Sequence, residues 1–338
     1  MSRPEVILSG FADEGPVDKK AVSQLTMLAA LGMGYYSLRF VDVGGDGEVK
    51  NVMKLTKSEV KQLRRLHGDF GIQVASIGSP IGKVKLLDIE DGSHNVFQPF
   101  DRYLKKDVAR AIDLAGEFGA KLIRGFSFYH PRGEDPAAYV DQAAERLTAI
   151  AEACQAGGVF FGLEVEANLI GQNGRLLQQL YKKVSHPNLC LIFDGGNLSS
   201  QNLLPDQTFA EYQAMKPGIG WMHIKDYNID PSLEWTGVVD EDRLKNFVPA
   251  DEGDSAHEAI LRDFRDRIPA LTRKLNKQGI AGVFLDLEPH LKGGGQFGGV
   301  SGVDGFGVAL RSLCRVLDYV GIGYRLTDFQ DIQRQKAK

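Results

Sequence analysis

The sequence predicts an α/β protein folded as a single (β/α)8 barrel. Three observations predict it: eight short runs rich in Val, Ile, Leu and Phe, stretches of helical period between them, and a composition that stays even along the chain. Apolar runs alternating with amphipathic stretches are the pattern of successive βα units around a parallel sheet, and eight units close a barrel. The length, 338 residues, fits one such unit, since these barrels reach about 250 residues or more with insertions.

The eight runs are Val6–Phe11, Tyr35–Val41, Val74–Ile77, Lys121–Phe128, Val159–Val165, Leu189–Phe193, Ile219–Ile224 and Gly282–Leu287. Helices are expected at Asp18–Leu31, Ser58–Phe70, Arg102–Phe118, Pro136–Ala156 and His257–Lys277, where apolar residues recur at three- and four-residue spacing. Gly34, Gly71, Gly119, Gly158 and Gly279 stand just before strands and read as helix C-caps. The stretch Asp226–Asp254 is long for a βα connection and rich in Asp, Glu and Pro, so it is expected as an elaborated loop beside the site. The glycine-rich run Gly293–Gly302 has two readings, a plain surface loop or a lid that brings backbone close to a substrate. The barrel is expected over residues 1–325 and a polar tail over 326–338, of which Gln330–Lys338 is expected to fray.

Apolar residues at 43% and charged residues at 25% match an ordinary globular protein. A formal net charge of -4, with basic and acidic residues interleaved, argues against a nucleic-acid partner. The three cysteines, Cys154, Cys190 and Cys314, lack the spacing of a zinc or redox motif and read as free thiols of a reducing compartment. No secretory signal pattern opens the chain and no apolar stretch approaches the roughly 20 residues of a membrane helix. A cytoplasmic protein without a membrane partner is the expectation, and assembly into a homo-oligomer is left open.

Barrel active sites lie at the C-terminal ends of the strands, so the informative residues are polar ones that interrupt an apolar run near its end. Four consecutive strands show them: FGLEVE over 161–166, LIFD over 191–194, WMHIKD over 221–226 and FLDLEPH over 284–290. A carboxylate there is costly to desolvate unless it is paired or binds a cation. Asp194 alone reads as a helix cap and His223 alone as a core histidine. Acids and a histidine converging from adjacent strands read instead as a site for one divalent metal ion. Such a mixed oxygen and nitrogen set suits manganese, magnesium or cobalt and accepts zinc, while the absence of thiolates disfavours structural zinc.

These four strand ends, with PADEGD over 249–254, resemble the xylose isomerase-like TIM barrels, the sugar phosphate isomerase/epimerase family that also includes ketose 3-epimerases and endonuclease IV. The resemblance spans nearly the whole chain. It implies a metal set of one strand-five glutamate, Asp194, His223 and Glu288, with the substrate a small sugar or sugar derivative. On strand five the resemblance favours Glu164 over Glu166, because the family often places a polar residue two positions beyond its strand-five and strand-eight glutamates; Glu166 and His290 would be those followers. Asp286 is the alternative to Glu288, which lies nearer the strand end, before Pro289. A ketose 3-epimerase would carry a histidine three residues after Asp194, where this chain has Asn197. Arg39, Arg124, His130 and Lys225 are candidates for binding substrate oxygens or a phosphate, and Glu166, Asn197 and His290 are further expected substrate-binding residues.

A divalent cation chelating a carbonyl and a neighbouring hydroxyl would stabilise the enediolate formed on proton loss. Glu164 and Glu288 are the candidate catalytic groups for taking and returning that proton, which gives a metal-dependent sugar isomerase or epimerase. A 3-keto-glycoside in the same site would instead lose its anomeric group, making a lyase in which His130, His290 or Glu166 moves protons. A non-catalytic sugar-binding barrel is the third reading. The acidic chain lacks the histidine-rich site of endonuclease IV. His223 must be neutral to bind metal, so affinity is expected to fall below its ordinary pKa of about 6.5.

Overall fold

Eight parallel strands form where the apolar runs lie: β1 (Glu5–Gly10), β2 (Tyr35–Leu38), β3 (Gln73–Gly78), β4 (Leu122–Gly125), β5 (Phe160–Glu164), β6 (Leu189–Asp194), β7 (Ile219–Ile224) and β8 (Phe284–Leu287). The computed structural model describes residues 3–293 and 299–336. The sheet runs β1–β8–β7–β6–β5–β4–β3–β2, and a two-residue strand, Gly323–Tyr324, adds to the N-terminal end of β1. The β1–β2 seam is closed by one bridge, Phe11 to Ser37. Near that seam β2 is tied across the interior, because buried Ser37 donates its hydroxyl to Asp286 of β8, and Asp286 also accepts the Trp221 indole N–H of β7 at 3.0 Å.

Helices wrap the sheet: α1 (Ala21–Ala30), α2 (Lys57–Phe70), α3 (Ala109–Phe118), α4 (Val140–Ala156), α5 (Gly174–Val184), α6 (Pro205–Met215), α7 (Ile268–Lys277) and α8 (Gly302–Val320). Local chemistry fixes their ends. Thr56 and Glu59 form a reciprocal capping box on α2, and Gly71 closes it with φ 66°. The expected C-cap at Gly34 is corrected: Leu31 caps α1 and Gly32 takes the left-handed turn at φ 73°, because the helix ends one residue short of the expected boundary. The three longest expected helices are each interrupted. A π turn over Leu104–Val108 precedes α3, a 3-10 turn over Pro136–Tyr139 precedes α4, and Arg265–Arg267 separates α7 from the helix His257–Phe264.

Two strands, β2 and β4, stop three residues before the ends of their apolar runs, and both breaks build the mouth of the barrel. β2 stops at Leu38, and Phe40–Val41 pairs instead with Lys50–Asn51, which leaves Arg39 at the break. After β4, Phe126 donates its N–H to Ile81 and Phe128 takes φ 72°. The connection Asp226–Asp254 leaves β7 and returns through a small antiparallel pair, Asp226–Tyr227 with Phe247–Val248. Of the glycine-rich run, residues 294–298 lie outside the described residues; its ends are joined where Lys292 and Val300 N–H groups bond across at 2.8 and 3.0 Å. The polar C-terminal segment is helical over Phe329–Lys336, and residues 337–338 lie outside the described residues. No described helix is long and apolar enough to cross a membrane.

Asp286 thus holds β2, β7 and β8 together beneath the mouth. Asp286→Ala leaves two buried donors without an acceptor and is expected to cost about 2 to 3 kcal/mol in urea unfolding. Asp286→Asn should cost less and should leave metal stoichiometry unchanged; a variant that loses metal would place Asp286 in the ligand set instead of Glu288.

Candidate metal centre

Strand register decides which side chains meet. In parallel strands paired residues share a face, so the pairing of Asp194 with His223, and of His223 with Asp286, puts all three on the barrel interior. Glu288, two residues beyond Asp286, lies one layer nearer the mouth. β5 ends at Glu164, whose side chain turns inward; beyond it the chain leaves the sheet, and Glu166 is carried to the cavity wall, 3.2 Å from Lys83.

The structure brings Glu164, Asp194, His223 and Glu288 together, with one ligand atom from each lying within 4.8 Å of the others. His223 is fully buried, and its Nδ1 lies 3.2 Å from Glu164 Oε1, 3.5 Å from Glu288 Oε2 and 3.9 Å from Asp194 Oδ2. The Phe11 ring meets it edge-on at 5.1 Å. Glu164 Oε2, Asp194 Oδ2 and both ring nitrogens of His223 lack a hydrogen-bond partner of good geometry. Buried polar atoms without partners are costly, and oxygens and an imidazole nitrogen converging in this way fit a hard or borderline divalent cation.

Basic residues surround the acids. Lys225 Nζ lies 3.0 Å from Asp194 Oδ2 and 3.2 Å from Glu288 Oε2, while Arg39 reaches Glu288 Oε1 at 2.6 Å. Arg39 is itself held by Asp13 and Glu14 and lies over the Phe11 ring at 4.5 Å. Arg124 Nε stands 3.4 Å from Glu164 Oε2. Asn197 donates its amide to Glu164 Oε1 at 3.2 Å and to the Val165 carbonyl at 3.1 Å. Asp194 also caps the short helix Gly195–Ser199, accepting the Asn197 N–H at 3.0 Å on Oδ1 while its Oδ2 faces the cluster.

Charge coupling sets the protonation of the group. Burial alone would lower the His223 pKa, but Glu164 and Glu288 outweigh it and push the imidazole up to about 10. Burial raises Asp194, with Glu164 and Glu288 adding to it against Lys225, so its carboxyl is pushed up to about 6. Glu288 is held well below the usual carboxylate range: burial opposes ionisation, and Lys225, His223, His290 and Arg39 overcome it. Glu164 is likewise lowered, burial being outweighed by His223 and Arg124.

A cavity of about 840 Å³, measured to its open mouth, sits above the cluster and is lined by Glu164, Glu166, Asn197, Lys225, Glu288 and His290, with Arg39 and Arg124. Asp194 and His223 lie beneath it. His130 is the exception among the expected site residues: it is not part of this lining, because the chain leaves β4 early and the imidazole turns to the Pro131 carbonyl at 2.9 Å. Three features escaped the sequence reading. Asp13 and Glu14, just after β1, clamp Arg39. Lys83 pairs with Glu166 and lies over Phe126 at 4.2 Å. His257, buried, faces Asp226 at 3.2 Å beneath the turn that carries Gly253, where any side chain would strike the Asp226 carboxylate. Only the adjacent acids after a strand end, in the first case, gave a usable signal.

Comparisons with known proteins give one answer on family. A family model described as xylose isomerase-like TIM barrel matches residues 25–293. No curated protein matches the sequence. Among solved structures, a xylose isomerase-like TIM barrel protein from Mycobacterium smegmatis in complex with magnesium is 19% identical, with a TM-score of 0.61, covering 94% of this chain and 97% of that one. A protein described as the probable 3-DHS dehydratase AsbF, involved in petrobactin synthesis in Bacillus anthracis, is 17% identical with a TM-score of 0.59, covering 92% and 98%. A D-psicose 3-epimerase solved in the presence of D-fructose is 14% identical with a TM-score of 0.57, covering 94% and 100%. At these identities the likeness is one of fold.

A cation entering the cluster must displace the His223 proton. Since that proton is held up to about pH 10 and Asp194 titrates near 6, the pH window lies higher than the ordinary histidine value implied. Mn2+ binding is expected to release about one proton per ion from about pH 7 to 9 and to tighten about tenfold per pH unit there. Calorimetry in buffers of different ionisation enthalpy measures both, and an affinity flat over that range contradicts the arrangement.

Proposed function

The chain belongs to the xylose isomerase-like TIM barrel family, and from that premise we propose that it is a cytoplasmic, divalent-metal-dependent sugar isomerase or epimerase that begins by removing a proton beside a carbonyl. The observation that carries the proposal is the buried cluster of Glu164, Asp194, His223 and Glu288, several of whose ligand atoms make no hydrogen bond of good geometry, under an open cavity. These four residues would hold the ion, with manganese the first candidate and magnesium, cobalt or zinc the alternatives. When bound, the ion supplies polarisation of the substrate carbonyl and compensates the charge that develops on its oxygen.

The chain's own groups divide the remaining work. Glu164 is the proton acceptor: Arg124 and His223 keep it ionised, Asn197 fixes one oxygen, and the other has no hydrogen-bond partner. Glu288 has Arg39 on one oxygen and Lys225 on the other, which suits it to holding charge and makes it the weaker base. Arg39 and Lys225 add positive charge where an oxyanion would form. Return of the proton to the neighbouring carbon or to the opposite face completes isomerisation or epimerisation.

A lyase is the second reading, and Asn197 favours it. The ketose 3-epimerases resembled here would place a histidine at this position, whereas the Asn197 amide is engaged with Glu164 and Val165. In a lyase Glu166 or His290, both lining the cavity, would hand a proton to the departing group.

Incubated with Mn2+ and a ketose or 3-keto-glycoside in deuterated water, the protein is expected to exchange or transfer the carbon-bound hydrogen without NAD, ATP or flavin. Glu164→Gln should slow this step by about a hundredfold or more, the usual scale of a general base. A recovered sugar with moved or inverted functionality supports the first reading, and a released aglycone with an unsaturated sugar supports the second. Neither exchange nor turnover across both substrate classes in metal-loaded protein would contradict the enzyme reading.

A further inference from the structure

The two sides of the cavity offer a ligand different things. Toward the cluster lie carboxylates and cations; from the Asp226–Asp254 connection Val239, Leu244 and Phe247 face the cavity, with Asn168 of the loop after β5 against Val239. Polar groups next to this wall are engaged with the protein itself. Asn168 gives its amide to the Val239 carbonyl at 3.2 Å and accepts the Val239 N–H at 3.1 Å. The Ser79 hydroxyl donates to the Arg124 carbonyl at 2.5 Å and accepts the Ile81 N–H at 3.2 Å. Lys83 is paired with Glu166.

A hydroxyl set against the side chains of Val239, Leu244 and Phe247 would leave water and find no partner among them, which is costly, whereas an apolar group would gain contact. The wall is also fixed in place. Phe247 packs edge-on against Tyr227 at 5.4 Å and lies 5.2 Å from the His290 ring, and the connection is anchored by buried Arg243, which donates to Asn202 Oδ1 at 2.7 Å and to the Leu233 carbonyl at 3.0 Å.

We infer that the cavity takes a two-ended substrate, with an oxygen-rich sugar end over the carboxylate and histidine cluster and an apolar, flat substituent against Val239, Leu244 and Phe247. The substrate class is then a glycoside of an apolar or aryl group whose sugar ring itself carries the ketone, not a free sugar. This rests on the proposed reading of the cluster as the sugar-binding end, and is independent of whether proton removal ends in epimerisation or elimination.

The test titrates the full-length protein, loaded with Mn2+, with phenyl β-D-glucopyranoside, methyl β-D-glucopyranoside and D-fructose by calorimetry. The phenyl glucoside is expected to bind about tenfold or more tightly than the methyl glucoside, as burial of a ring implies. Leu244→Asn should bring that ratio toward one while circular dichroism and metal stoichiometry stay as in the parent. Val239→Thr, close to isosteric, decides the same point if Leu244→Asn does not fold. Equal affinity for the two glucosides, no binding of the phenyl glucoside, tighter binding of D-fructose, or an unchanged ratio in the folded variant overturns the inference. A protein that fails to bind Mn2+ removes the proposed function instead, and the phenyl-to-methyl ratio measured without metal still decides the inference.

Discussion

Three carboxylates converge on one buried imidazole at the end of the barrel, and their mutual repulsion is the constraint around which this end of the molecule is organised. Glu164, Asp194 and Glu288 cannot all stay ionised in a site of low polarity unless positive charge is brought to them. The chain supplies it from β2, β4 and the end of β7 as Arg39, Arg124 and Lys225. The network joined through His223 comprises the five carboxylates of Asp13, Glu14, Glu164, Asp194 and Glu288 against the four cationic side chains of Lys19, Arg39, Arg124 and Lys225. A proton on His223 makes up the difference, which is why its pKa is raised despite full burial. Exchange of that proton for a divalent ion would turn the balance to one positive charge in surplus, suited to a substrate on which negative charge develops.

The same constraint accounts for features that otherwise look unrelated. The early end of β2 places Arg39 at the mouth, and Asp13 and Glu14 after β1 hold it there. Phe11 sits below, with the guanidinium groups of Arg39 and Arg124 at 4.5 and 5.3 Å from its ring, giving both cations an aromatic face. The long connection after β7 is clasped at its base by Asp226, which accepts the Ser255 N–H at 2.9 Å and faces His257. Its far part is latched to Asn168 of the loop after β5. The loop that shapes the cavity is therefore tied to the strand ends that carry the cluster.

Much of this was legible in the sequence because the barrel repeats one local signal. Each strand appears as an apolar run, and the acids and histidine that break four of those runs stand at positions that register brings to one face. The choice between Glu164 and Glu166 was not legible in the same way, since they are two residues apart and share a face in any strand; the end of β5 at Glu164 separates them in space. His130 looked equivalent to the other strand-end residues because its apolar run continues to Phe128, yet hydrogen bonds from Phe126 and Tyr129 to the loop after β3 end the strand early. Helix α8 was hidden by the glycines at its start, and α5 and α6 lie in stretches where capping signals at Asn173 and Pro205 are the clearer marks. Arg39 could be named from its position, but its three acidic partners lie 25 or more residues away in sequence, beyond what local spacing can reveal.

The most direct measurement is anomalous diffraction at the manganese edge from crystals of the protein grown with Mn2+. The account predicts one strong peak in contact with Glu164, Asp194, His223 and Glu288, with Lys225 Nζ drawn away from Asp194 to admit it. A peak at Glu14, Glu288 and His290, the other described group able to gather three ligand atoms, or no peak at the cluster in crystals soaked at saturating Mn2+, would contradict it.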